Sequence, residues 1–247
     1  LIFRAISIEF RSKEPMEWWR KSWDRAYAIS SISMALLLGA VVGNAVLGIP
    51  MDDQGNFQGS VVDLLHPYAL LVSLLTLAAF ALQGGLYLSM KTEGSLYQKL
   101  ASLIQTAMVA FVILFVLVTM VTLVFMTHVA EVFRSYPVLF SIPLLVLLSV
   151  ANTARLVAKA KYRLAFLFSS LTLALLMGLV AASLYPKLLH NRFQEGNALD
   201  IYYAAASDAS LETMLIIAAI GFPLVLGYTA FVFHTFRGKV ELDEHSY

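Results

Sequence analysis

The residues through which this chain could hold a redox metal are five histidines: His66, His128, His190, His234 and His245. A membrane haem of the b type needs two of them facing each other inside a helix bundle. Their positions predict otherwise. His66 lies about eleven residues from the middle of its apolar run, or roughly 16 Å at helical rise, which is near the membrane interface. His234 is displaced in the same way toward the opposite face. His128 and His190 fall between apolar runs, and His245 is in the tail. There is no cysteine, so disulfides, thiolate metal sites and thioether haem attachment are excluded. No HExxH, GxSxG or phosphate-cradling GxxxxGK is present. The expected catalytic, cofactor-binding and metal-ligating residues of this chain are therefore none.

Carboxylates inside a bilayer would mark an ion or proton route. The sequence has none there. No charge occurs from Ile29 to Ile49, Pro67 to Met90, Leu100 to Met126, Val138 to Ala154, Leu164 to Pro186, or Thr213 to Phe233. Mean hydropathy is +0.77, and apolar residues make up 60% of the 247. Soluble helices keep a charged face, so these runs are expected to span a membrane, as helices at about 27–49, 65–90, 99–126, 137–156, 163–186 and 211–235. The polar residues left inside them are Asn44, Gln83, Gln105, Asn152 and scattered Ser and Thr. Such groups join helices by hydrogen bonds.

Alternate connections place residues 1–26, 91–99, 155–163 and 236–247 on one side. That side takes all but Arg134, Lys187 and Arg192 of the 17 basic residues, whereas acids divide evenly. Basic residues mark the cytoplasmic side, so both ends of the chain are expected there. The stretch FRSKEPMEWWRKSWDRAY (10–27) carries all three tryptophans. It predicts a cytoplasmic juxtamembrane loop, with Trp18, Trp19 and Trp23 at headgroup depth and Arg20, Lys21 and Arg25 holding the next helix in place. The organisation expected is thus 1–26 as the end of a truncated helix plus this loop, 27–236 as a six-helix transmembrane bundle, and 237–247 as a cytoplasmic tail.

Small residues predict where helices touch. Gly39-x-x-x-Gly43 and Gly178-x-x-x-Ala182 both permit close approach. Gln83-Gly84-Gly85 reads as a tight crossing. Pro143 and Pro223 predict kinks, and Asp208 or Ser210 an N-cap for the last helix. By their residues alone these helices form a scaffold-like membrane subunit. A six-helix transporter or permease core and a self-contained di-haem cytochrome b are the rival readings. The absence of an intramembrane charge and the histidine depths speak against them.

Six stretches, in order, carry a resemblance: FRAISIEFRSK (3–13), WDRAYAISS (23–31), GNAVLGIP (43–50), LLHPYALLVSLLTLAAFALQGGLYLSMKTEG (64–94), FLFSSLTLALLMGLVAASLYP (166–186) and GYTAFVFHTFRGKV (227–240). Together they resemble subunit II of the cytochrome bd quinol oxidases over nearly the whole chain. The resemblance implies a complex that oxidises quinol and reduces oxygen in a bacterial or archaeal inner membrane. Subunit I would carry haem b and haem d (or a further b), and this chain would be its haem-free partner, shaping oxygen or proton access. Membrane lipid and a small single-helix subunit are further expected partners. The resemblance also implies that the spans are helices four to nine of the family, with the first two and most of the third missing. Here Arg4 is followed by Ala5, where the family has glycine.

Overall fold

The computed structural model describes residues 1–247 except 53–54, 127–136, 193–198, 203 and 239–247. The fold is all-α. Its helices are α1 (Ile2–Arg11), α2 (Glu17–Leu47), α3 (Pro67–Lys91), α4 (Gly94–Phe125), α5 (Ser141–Ala158), α6 (Tyr162–Leu184) and α7 (Asp208–Thr235). Six of them, α2 to α7, are long and apolar enough to cross a membrane. Hydrocarbon offers no water to backbone groups, so charge-free runs of this length must close their own hydrogen bonds as helices. The chain is a polytopic membrane bundle.

The helices pack as antiparallel neighbours. The α2–α3, α3–α4 and α5–α6 pairs make the broadest contacts, and α6 returns to lie on α3. The main core lies among α3, α4, α5 and α6, where Leu82, Leu86, Ile104, Phe111, Val146 and Ala165 are buried. A smaller cluster of Val46, Tyr68, Val72 and Met126 fills the end away from the basic turns. There the Tyr68 hydroxyl lies 2.9 Å from that of Thr122, joining α3 to α4.

The tryptophan-rich stretch is helical, not a loop. α2 begins at Glu17 rather than near residue 27 and runs for 31 residues, about 46 Å. That exceeds the roughly 30 Å hydrocarbon core, so its first turns stand outside. Those turns hold α1. Trp19 Nε1 donates to the Phe10 carbonyl at 2.8 Å, and Trp23 lies 5.5 Å from the Phe10 ring. Arg11 pairs with Asp24 at 2.7 Å, and the Arg4 guanidinium sits 5.4 Å from the Tyr27 ring. Trp19 and Trp23 are therefore contacts between helices, whereas Trp18 is exposed.

Two further expectations meet a different local structure, and one feature is new. Pro143 is the third residue of α5, in the first turn, where no intrahelical N–H bond is lost. It stands near the junction of α5 with a preceding 3₁₀ turn, Pro137–Phe140, whereas Pro223 lies well inside α7. Ser207 takes the N-cap position of α7, and Asp208 is its first helical residue. The connection after α6 contains two short antiparallel strands that the sequence reading missed, β1 (Lys187–Leu189) and β2 (Leu199–Asp200).

Among the described residues α7 stands apart. None of its residues is buried. An edge-on pair of Tyr87 and Phe233 at 6.4 Å and a 2.7 Å hydrogen bond from Lys91 Nζ to the Phe236 carbonyl hold it at its C-terminal end.

Candidate functional site

Three arrangements position the polar groups. The first is the α2–α3 seam. Gly39 and Gly43 are buried against α3. A Cβ on Gly39 would lie 2.5 Å from the Ser73 Cα, and one on Gly43 2.7 Å from the Ala69 Cα. The two backbones approach too closely for any side chain between them, as the Gly39-x-x-x-Gly43 spacing predicts. Gly178 differs. It is exposed, and a Cβ there would meet nothing within 4 Å. The expected packing face at Gly178 and Ala182 is not found among the described residues.

The second is a polar seam through the core. Ser149 Oγ donates across from α5 to the Phe168 carbonyl of α6 at 2.9 Å, and Thr172 Oγ1 donates to Ser149 Oγ at 2.9 Å. Gln83 Nε2 on α3 donates to Ser170 Oγ at 2.6 Å, while the buried Gln83 Oε1 has no partner among the described residues. Beside this seam Thr153, Ser169 and Thr172 line, with Ala79, Leu82 and Phe111, a void of about 10 Å³, room for about one water. Gly85 closes against Ile104, whose Cγ1 would stand 3.0 Å from an added Cβ. Gln83 thus joins helices as expected. Asn152 donates to Leu148 of its own helix, Gln105 is exposed, and Asn44 donates to the Leu64 carbonyl in the next connection. Hydroxyls and amides of this kind bind helices and water but do not ionise near neutral pH.

The third is a cap knitted from the two connections that follow α2 and α6. Gly48 ends α2 at φ +86°, and a Cβ there would lie 2.8 Å from the His190 carbonyl. Ile49 N–H donates to that carbonyl at 3.0 Å, and Arg192 N–H returns to the Ile49 carbonyl at 3.1 Å. Asn191 Nδ2 donates to the Met51 carbonyl at 2.7 Å. Next to this lies a short 3₁₀ turn, Val61–Leu65. It is closed by Asp63, whose carboxylate accepts from the Ser60 N–H at 2.6 Å and the Ser60 hydroxyl at 3.0 Å. The Ser60 N–H, then its hydroxyl, hold the Asp63 carboxyl below its ordinary value. His66 follows as the N-cap of α3, and its Nδ1 accepts from the Tyr68 N–H at 3.2 Å. Burial, and after it the charge of Arg192, hold its imidazole below the usual range, which keeps the accepting nitrogen unprotonated.

These positions decide whether the described histidines could grip a haem between them. His66 caps the N-terminus of α3, and His234 lies in the last turn of α7. Lys91 and Phe236 bring the C-terminal ends of those two helices together. The two imidazoles are therefore separated by the length of a 25-residue helix, roughly 35 Å. His190 belongs to the cap, while His128 and His245 lie outside the described residues. His66 and His234, so separated, cannot be the two axial ligands of one haem. Among the described residues no three of His, Asp and Glu gather where they could hold a metal ion.

Comparison with known proteins assigns the family. The chain is 26% identical to the cytochrome bd-I ubiquinol oxidase subunit 2 of Escherichia coli K12, over 99% of this chain and 72% of that one. It is 26% identical to the cytochrome bd ubiquinol oxidase subunit 2 of Bacillus subtilis 168, over 99% of this chain and 71% of that one. The probable cytochrome oxidase subunit 2 of Haemophilus influenzae Rd is also 26% identical, over 98% and 72%. A family model for cytochrome bd terminal oxidase subunit II matches residues 1–236, all six spanning helices included, and the chain belongs to that family.

Proposed function

We propose that this chain is the haem-free subunit of a bd-type quinol:oxygen oxidoreductase, that it stabilises a haem-bearing subunit I, and that it shapes the approach of oxygen and protons. Family membership places it in an oxygen-reducing quinol oxidase complex. The observation that carries the haem-free role is the placement of His66 and His234 at opposite ends of the bundle. A scaffold also needs surface to offer. The wholly unburied α7 and the outer face of α4, with Leu103, Val109, Ile113, Leu123 and Val124 exposed, supply apolar area for lipid or another chain. Haem b and haem d (or b) would reside in subunit I and would supply the oxygen chemistry. A small single-helix subunit would fit along the same apolar faces. The basic ends of the helices would face the cytoplasm of a bacterial or archaeal cell.

The test is spectroscopic. The chain is expressed alone and with subunit I. The complex should show the haem bands and consume oxygen with quinol, and the chain alone should do neither. His66→Ala and His234→Ala should leave the bands of the complex unchanged. Loss of a band in either variant, with assembly normal by size exclusion, refutes the haem-free assignment.

A further inference from the structure

At the basic end of the bundle, α3, α4 and α6 leave a cleft of about 540 Å³. It is lined by Ser89 and Met90 from the end of α3, Tyr97 from the start of α4, and Lys161, Tyr162 and Arg163 from the start of α6. Its wall is mixed in character. Tyr97 and Tyr162 stand edge to face at 5.9 Å and form an apolar side. Lys161 and Arg163 are exposed at its rim. The two ion pairs among the described residues, Arg11–Asp24 and Lys21–Glu17, involve neither of them. The α6 helix that starts here has no acid in its first turn and no side-chain cap. The cleft sits where the apolar runs of three helices end, which is where headgroups lie when such runs fill the hydrocarbon core.

We propose that this cleft binds an anionic phospholipid. Lys161 and Arg163 contact the phosphate of the headgroup, and Met90, Tyr97 and Tyr162 seat the glycerol and the upper part of the acyl chains. The size is that of a small-ligand pocket. Two unpaired cations beside aromatic rings select for charge at one end of the ligand and apolar surface at the other. A soluble anion would use only the cations and leave the tyrosine wall uncovered. The proposal takes from the oxidase assignment only the complex in which the chain is purified; its readout involves no haem and no oxygen, so the two can fail separately.

The experiment uses the chain in its detergent-solubilised complex, with photoactivatable phosphatidylglycerol as the probe and the phosphatidylcholine analogue as the control. Labelling is mapped by peptide mass spectrometry. Phosphatidylglycerol should label segments 86–97 and 160–166, and phosphatidylcholine should label them at least tenfold less. The pair Lys161→Gln and Arg163→Gln should weaken labelling about thirtyfold, or about fivefold for each alone. The single variants decide if the pair does not assemble. Arg20→Gln with Lys21→Gln, basic residues on the same side but outside the cleft, should leave labelling unchanged. Equal labelling by both lipids, or equal loss in both pairs of variants, overturns the proposal in favour of general attraction to a basic surface. Displacement of the lipid by millimolar inorganic phosphate overturns it in favour of a free-anion site.

Discussion

The α2–α3 seam permits a test in which a single carbon decides the outcome. In Gly39→Ala the added Cβ would lie 2.5 Å from the Ser73 Cα and within 2.9 Å of Thr76 Oγ1 and Cβ. Carbons in contact prefer about 3.5–4.0 Å, so the shortfall is about 1 Å. The obstacle is backbone, and no rotamer of Ser73 relieves it. The helices must part along their broadest interface, or α2 must shift against α3. Overpacking of this kind costs about 1–3 kcal/mol. A loss of about 2 kcal/mol lowers the thermal midpoint of a chain this size by about 4–8 °C. The assay is fluorescence-detected size exclusion of the heated complex, with Gly178→Ala as the control because a Cβ there meets nothing within 4 Å. The control should match the parent, Gly39→Ala should fall, and Gly43→Leu should impair assembly. If Gly39→Ala and Gly178→Ala melt together, the close approach of α2 and α3 is wrong.

Three further outcomes are expected. A reporter fused after Tyr247 should read cytoplasmic and one inserted at Asn56 external; both on one side would overturn the six-span arrangement. Asp63 is depressed in the folded chain, first by the Ser60 N–H, so its contribution is full above the unfolded carboxylate value and is lost as pH falls through the folded one. Protection of the Val61–Leu65 amides against exchange, relative to their intrinsic rates, should therefore fall as pH drops below the ordinary carboxylate range, and Asp63→Asn should remove that dependence; an unchanged profile in the variant would exclude this carboxylate as the cause. Gln83→Leu removes a buried carbonyl oxygen that lacks a partner and leaves Ser170 bonded to the Phe166 carbonyl, so stability should stay within about 1 kcal/mol and oxygen use should be unchanged. A tenfold fall in oxygen use with normal assembly would instead make Gln83 part of a proton or water route.

The spans were legible because a bilayer imposes one rule on every residue within it, and that rule is read from length and charge alone. Where the deciding partner lies far along the chain, the same reading loses its hold. Gly39-x-x-x-Gly43 and Gly178-x-x-x-Ala182 have equal standing as patterns, yet only the first has a backbone opposite it, because α3 crosses α2 there. The charged turns at Glu17–Arg25 resemble a loop in composition. They are helical because Trp19, Trp23 and Asp24 hold α1 from one face of α2, while Lys21 pairs with Glu17 one turn earlier. The cap was illegible for a similar reason. Its hydrogen bonds join Ile49 and Met51 to residues 190–192, so neither connection alone reads as structured. His66 and His234 occupy helix ends, as their distance from the middle of the apolar runs predicts. The cleft between Tyr97 and Arg163 was not legible. Its cations explain themselves in sequence as a topology signal, and only the fold brings the turns after α3 and α5 together around one space. Lys161 and Arg163, expected from sequence to fix orientation during insertion, thus stand after folding at the rim of the cleft proposed to take a headgroup.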